Sequence, residues 1–159
     1  VNFRQIRKSE ENNILYFSAA KYIWKDGVHL STIYYIFCFD GNSFTKLYEG
    51  NRSIIINSIK GKVYFIQSRE KKIYKHQNGN LVEWKNLAGT QYIGSMFGRS
   101  EIDFFALGDN NSLLHFNGTD LQQIYQAQNS FNGSLVLEKD IFLLSKGQYN
   151  YVIHGKLID

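Results

Sequence analysis

The chain has 159 residues, with 18 Lys and Arg against 14 Asp and Glu, for a formal charge of +4. At 43% hydrophobic and 20% charged it is too apolar for wholesale disorder. No run approaches the roughly eighteen apolar residues of a transmembrane helix. Aromatics make up 16%, with 11 Tyr, 12 Phe and no Pro, a composition that suits strands better than helices.

In chain order, the sequence opens at Val1, with no initiator Met, signal peptide or basic targeting stretch. It reads as a chain that has lost a leader or as a piece of a longer one. Phe3-Arg4-Gln5-Ile6 has an apolar-x-x-apolar pattern and predicts a stray outer strand within residues 1–8. Four repeats of about 39 residues follow, at about 11–50, 51–89, 90–128 and 129–159.

Each repeat predicts four short strands, a to d. Strand a falls at Ile14–Phe17, Ile54–Ile56, Tyr92–Phe97 and Leu135–Leu137. Strand b falls at Tyr22–Trp24, Val63–Ile66, Phe104–Leu107 and Ile141–Leu144. Strand c falls at Ile33–Phe39, Ile73–His76, Leu113–Phe116 and Tyr151–His154. Strand d starts at Phe44, Leu81 and Leu121, and in the last repeat near Leu157–Asp159.

Turn signals separate the strands. Ala19-Ala20, Lys60-Gly61, Arg99-Ser100 and Glu138-Lys139 are assigned to a–b turns. The c–d marks are Asp40-Gly41, Asn78-Gly79, Asn117-Gly118 and a shortened His154-Gly155. Asp-Gly and Asn-Gly favour tight hairpins because both central residues of a type I′ turn need positive φ. The predicted fold is therefore all-β, with its core at Ile54–Ile56, Val63–Ile66, Phe104–Leu107 and Ile141–Leu144.

Four-stranded antiparallel units of this length resemble β-propeller blades. The stretch from Ile102 to Thr119, with its Gly108-Asp109-Asn110-Asn111 turn, His115 and Asn117-Gly118, resembles repeats of bacterial extracytoplasmic propellers. The resemblance implies one propeller domain over 1–159. It is either a closed four-bladed ring completed by Phe3–Ile6 or four blades of a six- to eight-bladed ring, the second being favoured. Neither a Trp-Asp dipeptide nor a kelch-type Gly-Gly doublet is present.

Chemistry-bearing residues are few. His76, His115 and His154 recur every 39 residues, which puts them on different repeats and not around one metal. Each imidazole is expected to brace the c–d turn beside it, so no metal or cofactor is expected. Cys38 sits in an apolar run and reads as an inert buried thiol. The cluster of Arg69, Lys71, Lys72 and Lys75 contains Glu70 and reads as a solvated hairpin tip, so no nucleic-acid partner is expected. No nucleophile elbow, phosphate loop or zinc-protease motif occurs, and no catalytic residue is assigned. Four Asn-x-Ser/Thr triplets, at Asn51, Asn110, Asn117 and Asn132, are matched by chance turn usage among 15 Asn.

The resemblance implies a non-enzymatic binding or scaffold propeller in a bacterial extracytoplasmic protein or surface complex, located in the periplasm or at the cell surface, with a protein partner. The alternative is a glycan-binding lectin or carbohydrate-active propeller. Propellers bind mainly through d–a and b–c loops. That assigns Arg52 and Tyr92 (d–a) and Arg69 and Asp109 (b–c) to the binding face.

Overall fold

The computed structural model describes residues 1–87 and 92–156. The chain is all-β and divides into two compact units, Val1–Ala88 and Gly89–Asp159. Among the described residues the only helical element is a single 3-10 turn at Asp109–Asn111. No helix there is long and apolar enough to cross a membrane.

Unit 1 holds two four-stranded antiparallel meanders. The first, sheet A, runs β1 (Asn2–Lys8), β2 (Leu15–Lys25), β3 (Val28–Phe39), β4 (Phe44–Gly50). The second, sheet B, runs β5 (Ile55–Ile59), β6 (Lys62–Gln67), β7 (Lys72–Gln77), β8 (Asn80–Asn86). Unit 2 holds sheet C, with β9 (Ile93–Ser100), β10 (Asp103–Gly108), β11 (Ser112–Phe116) and β12 (Leu121–Gln126). Its sheet D has three strands among the described residues, β13 (Ser130–Leu137), β14 (Asp140–Lys146) and β15 (Tyr151–Lys156). The fourth strand expected near Leu157–Asp159 lies outside the described residues.

Sheet A corrects three expectations. Ala19-Ala20 is not a turn: both residues are buried inside β2, which joins the two predicted strands Ile14–Phe17 and Tyr22–Trp24 into one. The turn lies earlier, where the Asn12 side chain accepts the Ile14 amide at 3.2 Å and Asn13 takes φ 57°. Asn tolerates this left-handed conformation, whereas Ala offers a turn no such help. Phe3–Ile6 is consequently no stray outer strand. It belongs to β1, which pairs with β2 (Ile6 opposite Phe17), so the first sheet starts at Asn2 and not near residue 11.

Two smaller corrections follow in unit 2. Arg99-Ser100 still belongs to β9, and the turn is Glu101-Ile102. His154-Gly155 is strand, with His154 opposite Phe142 and Gly155 opposite Ile141. The turns at Asp26-Gly27, Lys60-Gly61 and Asn78-Gly79 have positive φ at both residues, as tight hairpins need.

In each unit a buried hydrophobic cluster lies between its own two sheets. In unit 1, Tyr16, Ile36 and Cys38 of sheet A pack on Ile54, Ile56, Val63 and Phe65 at sheet B. In unit 2, Phe105 and Leu113 of sheet C pack on Ile141 and Leu143 of sheet D. Most of the expected core runs are buried, but Ile55, Leu107 and Phe142 are only half-buried and Leu144 is exposed. The packing has a direction. Cys38 and His115 hold matching places, one residue before the c-strand end that pairs with the start of d (Phe39 with Phe44, Phe116 with Leu121). In both units the earlier sheet presents this face to the opposite face of the later sheet.

Candidate binding surface

The four residues assigned to the binding face fall two in each unit. In unit 1, Arg52 is tied twice. Its guanidinium lies 3.1 Å from Glu70 in the β6–β7 turn, and its carbonyl accepts from the Tyr48 hydroxyl at 3.1 Å. That hydroxyl is reached by the Gln67 amide at 3.4 Å, and Tyr74 donates to Gln67 Oε1 at 3.0 Å. The chain Tyr74–Gln67–Tyr48–Arg52 thus anchors a d–a loop to the two sheets. It borders a cavity of about 230 Å³ lined by Leu47, Tyr48, Ile54, Gln67, Tyr74 and Leu81, together with Asn80. Arg69 is exposed in the same turn as Glu70. In unit 2, Asp109 Oδ2 accepts the Tyr92 amide at 3.3 Å, so this pair holds a loop closed and the carboxylate is partly spent on backbone.

An exposed apolar ribbon was not foreseen. Strand β1 covers β2 only over Leu15–Ala20, and β4 covers β3 only over Tyr34–Phe39. Beyond them, Lys21 to Lys25 pairs with Val28 to Ile33 as a bare two-stranded ribbon. At 3.3–3.4 Å per residue it projects by about 16 Å. Trp24 is 61% exposed, Val28 61% and Leu30 58%. Tyr22 and Trp24 flank the His29 ring at 6.1 and 5.2 Å, and His29 Nε2 hydrogen-bonds Thr32 at 2.9 Å. An isolated ribbon with apolar side chains in water gains nothing from folding alone. The signal was in the sequence: Asp26-Gly27 marks a hairpin whose arms, without a break at Ala19-Ala20, are eleven and twelve residues long.

The histidines do not behave alike. His115 stacks on Phe105 at 4.6 Å and pairs with Asp103 at 2.9 Å. His154 repeats this with Phe142 at 4.6 Å and Asp140 at 2.7 Å. Each therefore clamps strand b to strand c, a larger task than bracing the adjacent turn. Arg99 adds to the first clamp by pairing with Asp103 and donating to the Glu138 carbonyl at 3.2 Å. His76 instead faces the unit 1 core, where Nδ1 meets the Tyr16 hydroxyl at 2.9 Å, and burial pushes its pKa down. Its c–d loop has two residues, where sheets A and C have four, so the equal sequence spacing conceals a different register. Lys75 takes the matching place, lying over the Trp84 ring at 4.6 Å.

Burial raises the Cys38 thiol above its usual pKa, consistent with an unreactive side chain. Among the described residues no cluster of His, Cys, Asp and Glu is placed to hold a metal ion. No protein-family model matches this chain, and no curated protein matches it.

Proposed function

We propose that this chain is a non-enzymatic, protein-binding or scaffold module of the β-propeller type, and that the β2–β3 ribbon is its contact arm. The observation that carries the reading is the exposure of Trp24, Val28 and Leu30 on a ribbon that no neighbouring strand among the described residues pairs with. Trp and Tyr are enriched among the residues that dominate binding energy when a partner dries them, and neighbouring aliphatic side chains add apolar area that excludes water. The propeller reading is supported by four successive meanders and by the shared packing direction in both units. Placement in a bacterial extracytoplasmic or surface complex rests on the resemblance carried by Ile102–Thr119.

The test is affinity capture with the chain and its Trp24→Ala/Leu30→Ser variant, followed by titration of each recovered protein. A specific partner should be lost from the variant by tenfold or more while the far-UV spectrum is unchanged. Equal capture by both forms sinks the assignment of the ribbon. The exposed Trp24 and Tyr22 rings also suit sugar stacking, which supports a lectin as the second reading. A glycan array with hits removed by Trp24→Ala, and no protein partner, selects it.

A further inference from the structure

We propose that a second copy of this chain docks head to tail on it, with sheet D of one copy covering the outer face of sheet A of the other. Sheet A uses its Tyr16–Cys38 face inside unit 1, leaving its opposite face wet. There Phe3 is 73% exposed, Phe44 67% and Ile6 52%. Phe3, Phe17, Phe44 and Phe39 form a continuous aromatic ladder, with successive ring centroids at 6.3, 5.7 and 4.6 Å. Phe3, Ile6 and Phe17 also line an open groove of about 370 Å³.

Sheet D has the converse problem. Its Ile141–Leu143 face packs inside unit 2, while the other face exposes Leu135, Leu137, Leu144 and Val152. The register places these four on one side, with Leu135 opposite Phe142, Gly133 opposite Leu144, and Leu144 opposite Val152.

The occupant follows from the packing direction. In both units a sheet turns its Cys38/His115-type face onto the opposite face of the next sheet. The wet face of D, which carries His154, is of the first type, and the wet face of A is of the second. The chain therefore exposes both halves of the contact it already makes twice. At the turn end of β1, Lys8 shares the register side of Ile6, and Asp140, which pairs with His154 and lies opposite Lys156 in its own sheet, opens β14 at the corresponding end of sheet D. Inside unit 1 the same end is closed by Lys62 and Glu11 at 3.4 Å. Burying such a self-complementary pair of faces is a heterologous contact, which makes rings or chains of copies. This inference rests on the sheet packing and not on the ribbon, so either can fail alone.

The experiment is sedimentation velocity on the wild-type chain, Phe44→Glu and Val152→Glu, singly and mixed. Wild type should self-associate, each variant should be monomeric with at least tenfold weaker association, and the mixed variants should recover a heterodimer through their one intact contact. Zero-length cross-linking of mixed light and heavy isotope-labelled wild type should join Lys8 to Asp140 between labels, which keeps the test valid if a variant misfolds. A monomeric wild type, a Lys8–Asp140 link confined to one label, or loss of association from Phe44→Glu but not Val152→Glu would overturn the proposal.

Discussion

Unit 1 and unit 2 carry histidines at equal sequence spacing and use them differently. In unit 1 His76 reaches across to Tyr16, so the bond links two sheets through the core. In unit 2 His115 and His154 stay within their own sheets, each closed by an aspartate at the start of strand b. A two-residue loop in place of a four-residue one is enough to move an imidazole from one side of a sheet to the other, because side chains alternate along a strand. Repeat spacing fixes which sheet a residue belongs to; loop length fixes which face it serves.

Both Trp residues, Trp24 and Trp84, lie in unit 1, so Trp fluorescence follows that unit while far-UV ellipticity follows both. The largest expected effect is on the unit 1 core. Phe65→Ala removes a fully buried ring beside Tyr16 and should cost about 3–5 kcal/mol in the fluorescence-monitored urea transition. A loss below about 1 kcal/mol would mean that the A–B packing is not what holds unit 1.

Next is the bond that links the sheets. Tyr16→Phe deletes the hydroxyl, leaves His76 Nδ1 without that partner, and should cost about 1–2 kcal/mol in the same transition. An unchanged midpoint would show the Tyr16–His76 contact to be passive.

The unit 2 clamps should rank by burial. Asp103→Asn breaks pairs to Arg99 and His115, whose side chains are only a quarter to a third exposed, and should cost about 1 kcal/mol. Asp140→Asn breaks one more exposed pair and should cost less than about 0.5 kcal/mol. Both losses are read from the ellipticity-monitored curve. The reverse order would place the clamp's strength in the stacking of His154 on Phe142.

The smallest effect is a pH slope confined to unit 1. Burial holds the folded pKa of His76 below its ordinary 6.5, so the unfolded chain takes up a proton at higher pH than the folded one. Its contribution is complete above about pH 6.5 and declines as the pH falls from there toward the lowered folded value. The fluorescence-monitored urea midpoint should therefore drop between pH 7.5 and 5, and His76→Phe should flatten the change. His115→Phe should leave that slope in place, since it acts in the other unit.

Much of the fold was legible because the turns need special backbone. Asp26-Gly27, Lys60-Gly61 and Asn78-Gly79 sit at positive φ, where few residue types are comfortable. Ala19-Ala20 looked like a gap only because small side chains interrupt an aromatic run. In the fold they are buried residues within β2, each opposite a Tyr of β3. Reading a turn there hid the long ribbon and left Phe3–Ile6 without a partner. Gly155 misled in the opposite way, since a glycine marks a turn only if its φ demands one, and this one continues a strand. Of the site, Arg52 and Glu70 meet through two loops far enough apart in sequence that no spacing rule joins them. The exposure of the ribbon depends on where β1 and β4 stop, which is a property of pairing and not of local pattern.

The meander order of every sheet has a kinetic consequence. Each strand pairs with the one just before or after it in the chain, so each pairing closes only a short loop. The strand pairings are therefore sequential, and pairings close in sequence form before distant ones because they cost less chain entropy. Folding can then proceed hairpin by hairpin, each new strand finding the last one already in place. The same locality leaves every nascent sheet with one open edge while the next strand is awaited. The rate at which the chain supplies that strand governs how long the edge is available to the wrong partner.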